Sequence, residues 1–106
     1  MSRNRYVVLA FNAGKCASCT PTSILEEWIR ALYGAWGASV IRLREVYSNN
    51  KGVYVYRINA DSQKLFRSIF VLDADGVFYV IKTTGSLRKA RSIADSINIS
   101  FEDTHE

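Results

Sequence analysis

The chain has 106 residues, 48% of them hydrophobic, with 14 Lys and Arg against 10 Asp and Glu and a net charge of +4. That length fits one compact domain, and the apolar content excludes a disordered chain. No apolar run approaches the ~18 residues of a membrane span, and two cysteines do not make a secreted disulfide scaffold. The opening "MSRNRYVVLAF" reads as a first strand rather than a signal peptide, so a cytoplasmic location is expected.

The charge is segregated. The first 25 residues hold Arg3, Arg5 and Lys15 with no acid, and residues 76–94 hold Lys82, Arg88, Lys89 and Arg91, again with no acid. Acids gather in the first helix, at Asp73 and Asp75, and in the tail "FEDTHE". Such separation favours an anionic partner more than the total charge does.

In chain order, "RYVVLAF" (5–11) is β-branched and aromatic and predicts a central strand. "NAGKCAS" is a polar loop. "TPTSILEEWIRALYG" predicts a helix with Pro21 in its first turn, Ser23 and Glu26 as a capping box and Gly34 as its stop. Its stripe is Ile24, Leu25, Trp28, Ile29 and Leu32. "SVIRLREVY" (39–47) alternates as a strand, "SNNKG" is a hairpin connection, and "VYVYRIN" (53–59) is the antiparallel mate. Asp61 is expected to cap a helix "SQKLFRSIFVL" carrying Leu65, Phe66, Ile69 and Phe70. "DADG" turns, "VFYVIK" (77–82) is the last strand, and "GSLRKARSIADSI" is a final helix with Leu87, Ala90, Ile93, Ala94 and Ile97 on its apolar line. The expectation is a single domain over 1–97 with an acidic, frayed tail over 98–106. The order β-α-β-β-α-β-α gives an α+β, ferredoxin-like (split βαβ) plan with a four-stranded antiparallel sheet. Its second face is either open or covered by the last helix.

Self-sufficient catalysis finds little support. The lone histidine, His105, sits in the tail, so no Ser-His-Asp set forms, and "TTGS" lacks the length and lysine of a phosphate-binding loop. The close acids Asp73/Asp75 and Glu26/Glu27 are explained by a turn and by a helix start. Cys16 and Cys19 form one C-x-x-C without a second pair. They are plain loop thiols, a local disulfide, ligands of a metal shared with a partner, or a redox pair.

Polyanion binding is better supplied. In "KTTGSLRKAR" (82–91) the hydroxyls of Thr83, Thr84 and Ser86 and the flexible Gly85 meet a helix N-terminus, and Lys82, Arg88, Lys89 and Arg91 crowd an end that is already positive. Such a corner holds a phosphate, or it is an ordinary helix cap with a solvated basic face. "KGVYVYRI" (51–58) is similar to the ribonucleoprotein sequence of RNA-recognition domains, with Val53 in its first aromatic slot. Tyr54 and Tyr56 share one sheet face with Ile58, and are either core or protein interface, or a base-stacking platform.

These stretches also carry a family likeness. "RYVVLAF", the "LYGAWGAS" turn, the hairpin "VIRLREVYSNNKGVYVYRIN" and "TTGSLRKAR" follow one another as they do in archaeal ribonuclease P protein component 2, which this chain resembles over residues 5 to about 97. The resemblance implies a protein without catalytic residues or cofactor of its own. In that family the RNA subunit, using magnesium, removes the 5′ leader of precursor tRNA, and component 2 pairs with the barrel-shaped component 3. By that likeness Lys82, Thr84, Gly85, Ser86, Arg88, Lys89 and Arg91, with Arg3, Arg5 and Lys15, are the expected RNA-contacting set. Whether the protein assembles as a homodimer or in a heterotetramer stays open. Family members commonly have Ser-Gly-Thr at the last turn, where this chain has Thr84-Gly85-Ser86, and the "KCASC" insert has no counterpart in the pattern. The rivals are a small phosphate-ester or acyl phosphate enzyme, which wants an arginine-bearing glycine-rich loop after the first strand where only Lys15 stands, and an interaction module that never meets RNA.

Overall fold

A computed structural model of the chain describes residues 3–12, 14, 20–49 and 51–97. Lys15, Cys16, Cys19 and the tail 98–106 lie outside the described residues. The elements run β1 (Asn4–Phe11), α1 (Pro21–Ile41), β2 (Arg44–Ser48), β3 (Val53–Asn59), α2 (Gln63–Ser68), β4 (Phe78–Thr84) and α3 (Leu87–Ser96). The strands form one antiparallel sheet in the order β2-β3-β1-β4, the ferredoxin-like arrangement.

β1 and β3 are the central pair, registered from Asn4↔Asn59 to Ala10↔Val53. Alternation along them serves two cores at once. Val7, Leu9, Phe11, Tyr56 and Ile58 pack with Leu25, Ile29 and Ile41 of α1 and with Phe66 and Ile69 of the α2 segment. Val8, Val53 and Val55 turn the other way and pack against Ala90 and Ala94 of α3. So α3 covers the second face, and the small alanines let it lie close. Extra residues interrupt both edge strands: β4 slips between Val8 and Leu9 of its partner, and β2 slips between its own Glu45 and Tyr47. Such bulges twist an edge and make it a poorer template for another strand.

The first helix departs from expectation at both ends. Thr20, not Ser23, is the N-cap; its hydroxyl accepts from the Ser23 amide at 3.3 Å, and Pro21 takes the first turn. Gly34 does not stop the helix. It takes φ 66° and ψ −157°, a region almost reserved for glycine, and the helix restarts beyond it to Ile41. Residues 39–41 are therefore helical rather than the start of a strand. Ile41 is fully buried in the first core, and the Ser62 hydroxyl donates to the Val40 carbonyl at 2.9 Å. Arg42, at φ 56°, ends the helix in the left-handed conformation, its amide returning to the Ala38 carbonyl.

The second helix is shorter than its pattern. Only Gln63–Ser68 is α-helical, between 3₁₀ turns at Ala60–Ser62 and Ile69–Leu72. Asn59, not Asp61, caps the segment, accepting from the Asp61 amide. β4 runs two residues past Lys82, to Thr84. No helix among the described residues is long and apolar enough to cross a membrane.

The kink gives a direct test. A Cβ added at Gly34 meets nothing within 4 Å, so Gly34→Ala costs only backbone strain, roughly 1–3 kcal/mol. At Gly37 an added Cβ would lie 2.4 Å from Tyr33 Cβ, so Gly37→Ala also forces the two halves of the helix apart. Urea unfolding is expected to show Gly34→Ala destabilised and Gly37→Ala more so. A neutral Gly34→Ala would mean that the bend is absent in solution.

Candidate nucleic-acid interface

Thr83 and Thr84 are strand residues whose neighbours across the ladder are Val7 and Tyr6. They point to opposite faces, so Thr83 does not join Thr84 at the turn as the sequence suggested. Ser86 is the N-cap of α3, its hydroxyl accepting from the Lys89 amide at 3.4 Å, while Thr84 Oγ1 accepts from the Ser86 amide at 3.4 Å. Two donors of the corner are thus held by the chain's own hydroxyls. The Leu87 and Arg88 amides belong to the same first turn, whose N–H groups have no acceptor within the helix. Gly85 does not have a positive φ; its lack of a side chain instead leaves room for Arg5, whose Nη1 would lie 3.4 Å from a Cβ placed there.

That contact draws β1 into the corner. Because β1 and β4 run antiparallel with Tyr6 opposite Thr84, Arg3 and Arg5 lie at the same end of the sheet as the Thr84–Ser86 turn. Arg5 Nη1 donates to the Asn4 carbonyl at 3.2 Å, and Arg3, exposed, accepts the Ala60 amide at its own carbonyl. Lys82 sits opposite Val8 and is exposed. Arg88 and Lys89 are exposed on the first turn of α3, since Ala90 and Ala94 turn the remaining face to the sheet. The structure therefore unites Arg5, Thr84, Gly85, Ser86, Arg88 and Lys89 at one corner, with Arg3 and Lys82 at its margins.

Arg91 is engaged differently. Its guanidinium lies 4.8 Å from the centre of the Tyr47 ring, and the Tyr47 hydroxyl donates to the Asp95 carboxylate. That hydrogen bond holds the phenolic proton and raises Tyr47 above its ordinary range. Arg91 thus stacks on an aromatic face and fastens α3 to β2, so only part of its charge is offered outward.

Tyr56 cannot stack a base. It has no exposed surface, is buried in the first core under α1, and its hydroxyl is 2.9 Å from that of Thr22, which in turn donates to Glu45. Tyr54 lies on the same face, half-buried, its ring 6.4 Å from that of Tyr56 and 6.2 Å from Phe11. The reason is topological: both tyrosines face the layer of α1 and α2, and the opposite face belongs to α3.

Of the close acids, Asp73 has a clear local duty, while Glu26 and Glu27 lie beyond the first turn of α1 rather than at its start. Asp73 accepts the Val77 and Phe78 amides at 2.7 and 2.9 Å, closing the turn into β4. Among the described residues no group of three His, Cys, Asp or Glu could hold a metal ion. Sequence reading missed a further basic set, Arg42, Arg44 and Arg57. Arg44 stands opposite Arg57, and Arg42, Arg57, Asn4 and Asn59 line one depression of about 180 Å³. The signal was present in the hairpin alternation, but it needed the register to be read across β2 and β3. In comparison with known proteins, the chain matches no family model and none of the curated proteins.

Burial pushes the Tyr56 phenol well above its ordinary range, and this gives an alkaline signature. In the unfolded chain Tyr56 loses its proton near pH 10, while in the folded protein it keeps it, so stability is full below about pH 10 and falls as pH rises further. Urea midpoints at pH 8 and pH 10.5 are expected to differ for the wild type and to differ less in Tyr56→Phe, where only the raised Tyr47 remains. Tyr56→Phe should itself cost about 0.5–1.5 kcal/mol at pH 8 for the lost hydrogen bond, with RNA affinity unchanged. A loss of affinity without a loss of stability would instead place Tyr56 at a binding surface.

Proposed function

We propose that this protein is a subunit of ribonuclease P that binds the catalytic RNA and supports removal of the 5′ leader from precursor tRNA, without contributing a catalytic group. The observation that carries the reading is the corner where Arg5 approaches Gly85 and Arg88 and Lys89 stand exposed on the first turn of α3, whose leading amides have no partner within the helix. Three cations at the positive end of a helix each cost a few tenths of a kcal/mol or more, and a phosphate placed there reverses the sign of all three terms together. The sequence likeness to component 2 names the RNA, and the ferredoxin-like sheet agrees with that likeness.

The chemistry is electrostatic. Guanidinium and ammonium groups displace counterions from the RNA backbone, which fixes the protein's position without reading bases. Bringing counter-charge to a folded RNA lowers the magnesium needed to hold its active shape, and magnesium remains the RNA's own cofactor for cleavage. An apolar surface serves the protein partner: Trp36 and Val71 are 59% and 77% exposed on the α1–α2 layer, whose halves are joined by the Tyr33–Ser68 hydrogen bond. We assign that surface to component 3, and the working compartment to the cytoplasm.

Because Arg91 also braces Tyr47, the clean probe is Arg88→Ala with Lys89→Ala. Binding of a ribonuclease P RNA transcript should weaken and its log–log salt slope should flatten by about two contacts' worth, roughly 1.4–1.8. The melting temperature should hold or rise slightly. Leader removal by RNA, component 3 and this protein at limiting magnesium should fall in step with binding. An unchanged slope, or wild-type protein that leaves cleavage unaffected, overturns the proposal.

A further inference from the structure

The sheet is longer than the helix that covers its second face. A ten-residue helix such as α3 spans about 15 Å, while the eight residues of β1 span roughly 26 Å. The path of α3 settles which part stays bare. It leaves the end of β4, and its far end is fastened at the hairpin, where Asn49 Nδ2 donates to the Ala94 carbonyl and Tyr47 donates to Asp95. One corner it does not reach is the start of β4, where Tyr79 is exposed; the other is the start of β2 and the end of β3.

One row of side chains crosses that bare end. The register places Arg44 opposite Arg57, Arg57 opposite Tyr6, and Tyr6 opposite Thr84. Arg57 and Tyr6 are two residues from Val55 and Val8, which pack on α3, so the row lies on the α3 face. Arg44 and Arg57 are like charges directly facing one another, an arrangement that destabilises a sheet unless a counter-charge is supplied. Arg42 adds a third guanidinium from the helix C-cap, at the depression it shares with Asn4, Arg57 and Asn59. Of the neighbouring acids, Glu45 accepts from Thr22 on the opposite face, Asp61 lines another depression with Lys64 and Arg67, and Glu26 shares a depression with Arg30 and Arg42. Among the described residues Arg44 and Arg57 are therefore the pair left without a nearby carboxylate of their own.

We infer that Arg42, Arg44 and Arg57 form a second contact for RNA backbone, continuous across the sheet with the Thr84–Ser86 corner. The inference rests on the RNA-binding reading above and extends its footprint. Three strand spacings separate Arg44 from Thr84, about 14 Å, which exceeds the ~8 Å screening length at physiological salt. The two contacts therefore act as separate electrostatic sites on one extended ligand. A polynucleotide bridges such a distance, whereas a single phosphate-bearing small molecule does not.

The test uses the full chain and a short fluorescein-labelled RNA hairpin, with anisotropy followed across a salt series. Arg44→Gln with Arg57→Gln is expected to keep or raise the melting temperature, since it removes facing like charges. It should flatten the salt slope by roughly 1.4–1.8 and weaken binding about tenfold near 0.15 M salt. Combined with Arg88→Ala and Lys89→Ala, the slope losses should add. If the sheet variant binds the hairpin as the wild type does while the corner variant is impaired, the second contact is refuted and the first stands. If the sheet variant instead loses binding to poly-L-glutamate alone, the patch serves an acidic protein segment and the inference is wrong. Wild-type protein that ignores the hairpin overturns both, and additive hairpin losses without any effect on leader removal would keep the contact while removing ribonuclease P as its setting.

Discussion

The pairing of β1 with β3 is the constraint from which the rest follows. Among the described residues these are the only strands flanked on both sides, and β1 is buried throughout from Val7 to Phe11. A strand buried on both faces requires a layer above and a layer below. α1 and the α2 segment provide one, and α3 the other. Once both faces are occupied, ligand-binding surface is confined to the ends of the sheet and the outer sides of the helices. The basic side chains of Arg3, Arg5, Arg42, Arg44 and Arg57 come from the ends of strands or of α1 for this reason. A guanidinium further along β1 or β3 would have displaced an apolar side chain from one core or the other.

The division between the two faces also decides what the aromatic residues do. Tyr54, Tyr56, Phe11, Phe78, Trp28 and Phe70 form a chain of ring contacts between the sheet and the first helical layer. Edge-on pairs of this kind add about 0.5–1.5 kcal/mol each beyond the area they bury. The buried centre of the face left to α3 holds small and β-branched residues, Val8, Val53, Val55, Ala90 and Ala94, with Tyr6 and Tyr47 packed at its margin. Tyr54 and Tyr56 are therefore taken up by packing under α1 and α2, whereas Tyr79 of β4 stands 60% exposed. Charge at the sheet ends, of the kind the proposed function needs, suits a backbone and leaves base identity unread.

Much of this was legible in the sequence. The central strand, the hairpin, the ferredoxin-like order and the α3 helix follow from alternation and periodicity, and the placement of Val55 against Tyr56 on opposite faces follows from period two alone. The errors have physical causes. Gly34 and the β-branched run at Val40 and Ile41 imitate a helix stop followed by a strand, but glycine's access to φ 66° lets the chain bend and continue, and Ile41 gains full burial by doing so. Asp61 resembled a cap, yet Asn59 at the end of β3 reached the amide first. At the candidate site the corner residues were found because they are contiguous in sequence. Arg57 and Arg44 were not, because only the strand register brings them together. The role of Gly85 was likewise hidden, since it depends on a neighbour eighty residues upstream.

Arg91 shows how the same residue type divides its work along one helix. Stacked on Tyr47, whose hydroxyl is tied to Asp95, it joins α3 to the edge strand β2, which otherwise pairs with β3 alone. Arg88, one turn earlier, borders the same depression as Arg91 and Asp95 and stays exposed. Guanidinium binds both an aromatic face and a phosphate, and an ion held by the first is less available to the second. The spacing of three residues that puts Arg88 and Arg91 on neighbouring surfaces of α3 therefore yields one charge spent on holding the fold and one left for a ligand. The bracing charge keeps α3 seated over Val53 and Val55, and that seat fixes where the helix start meets the turn that Arg5 approaches at Gly85.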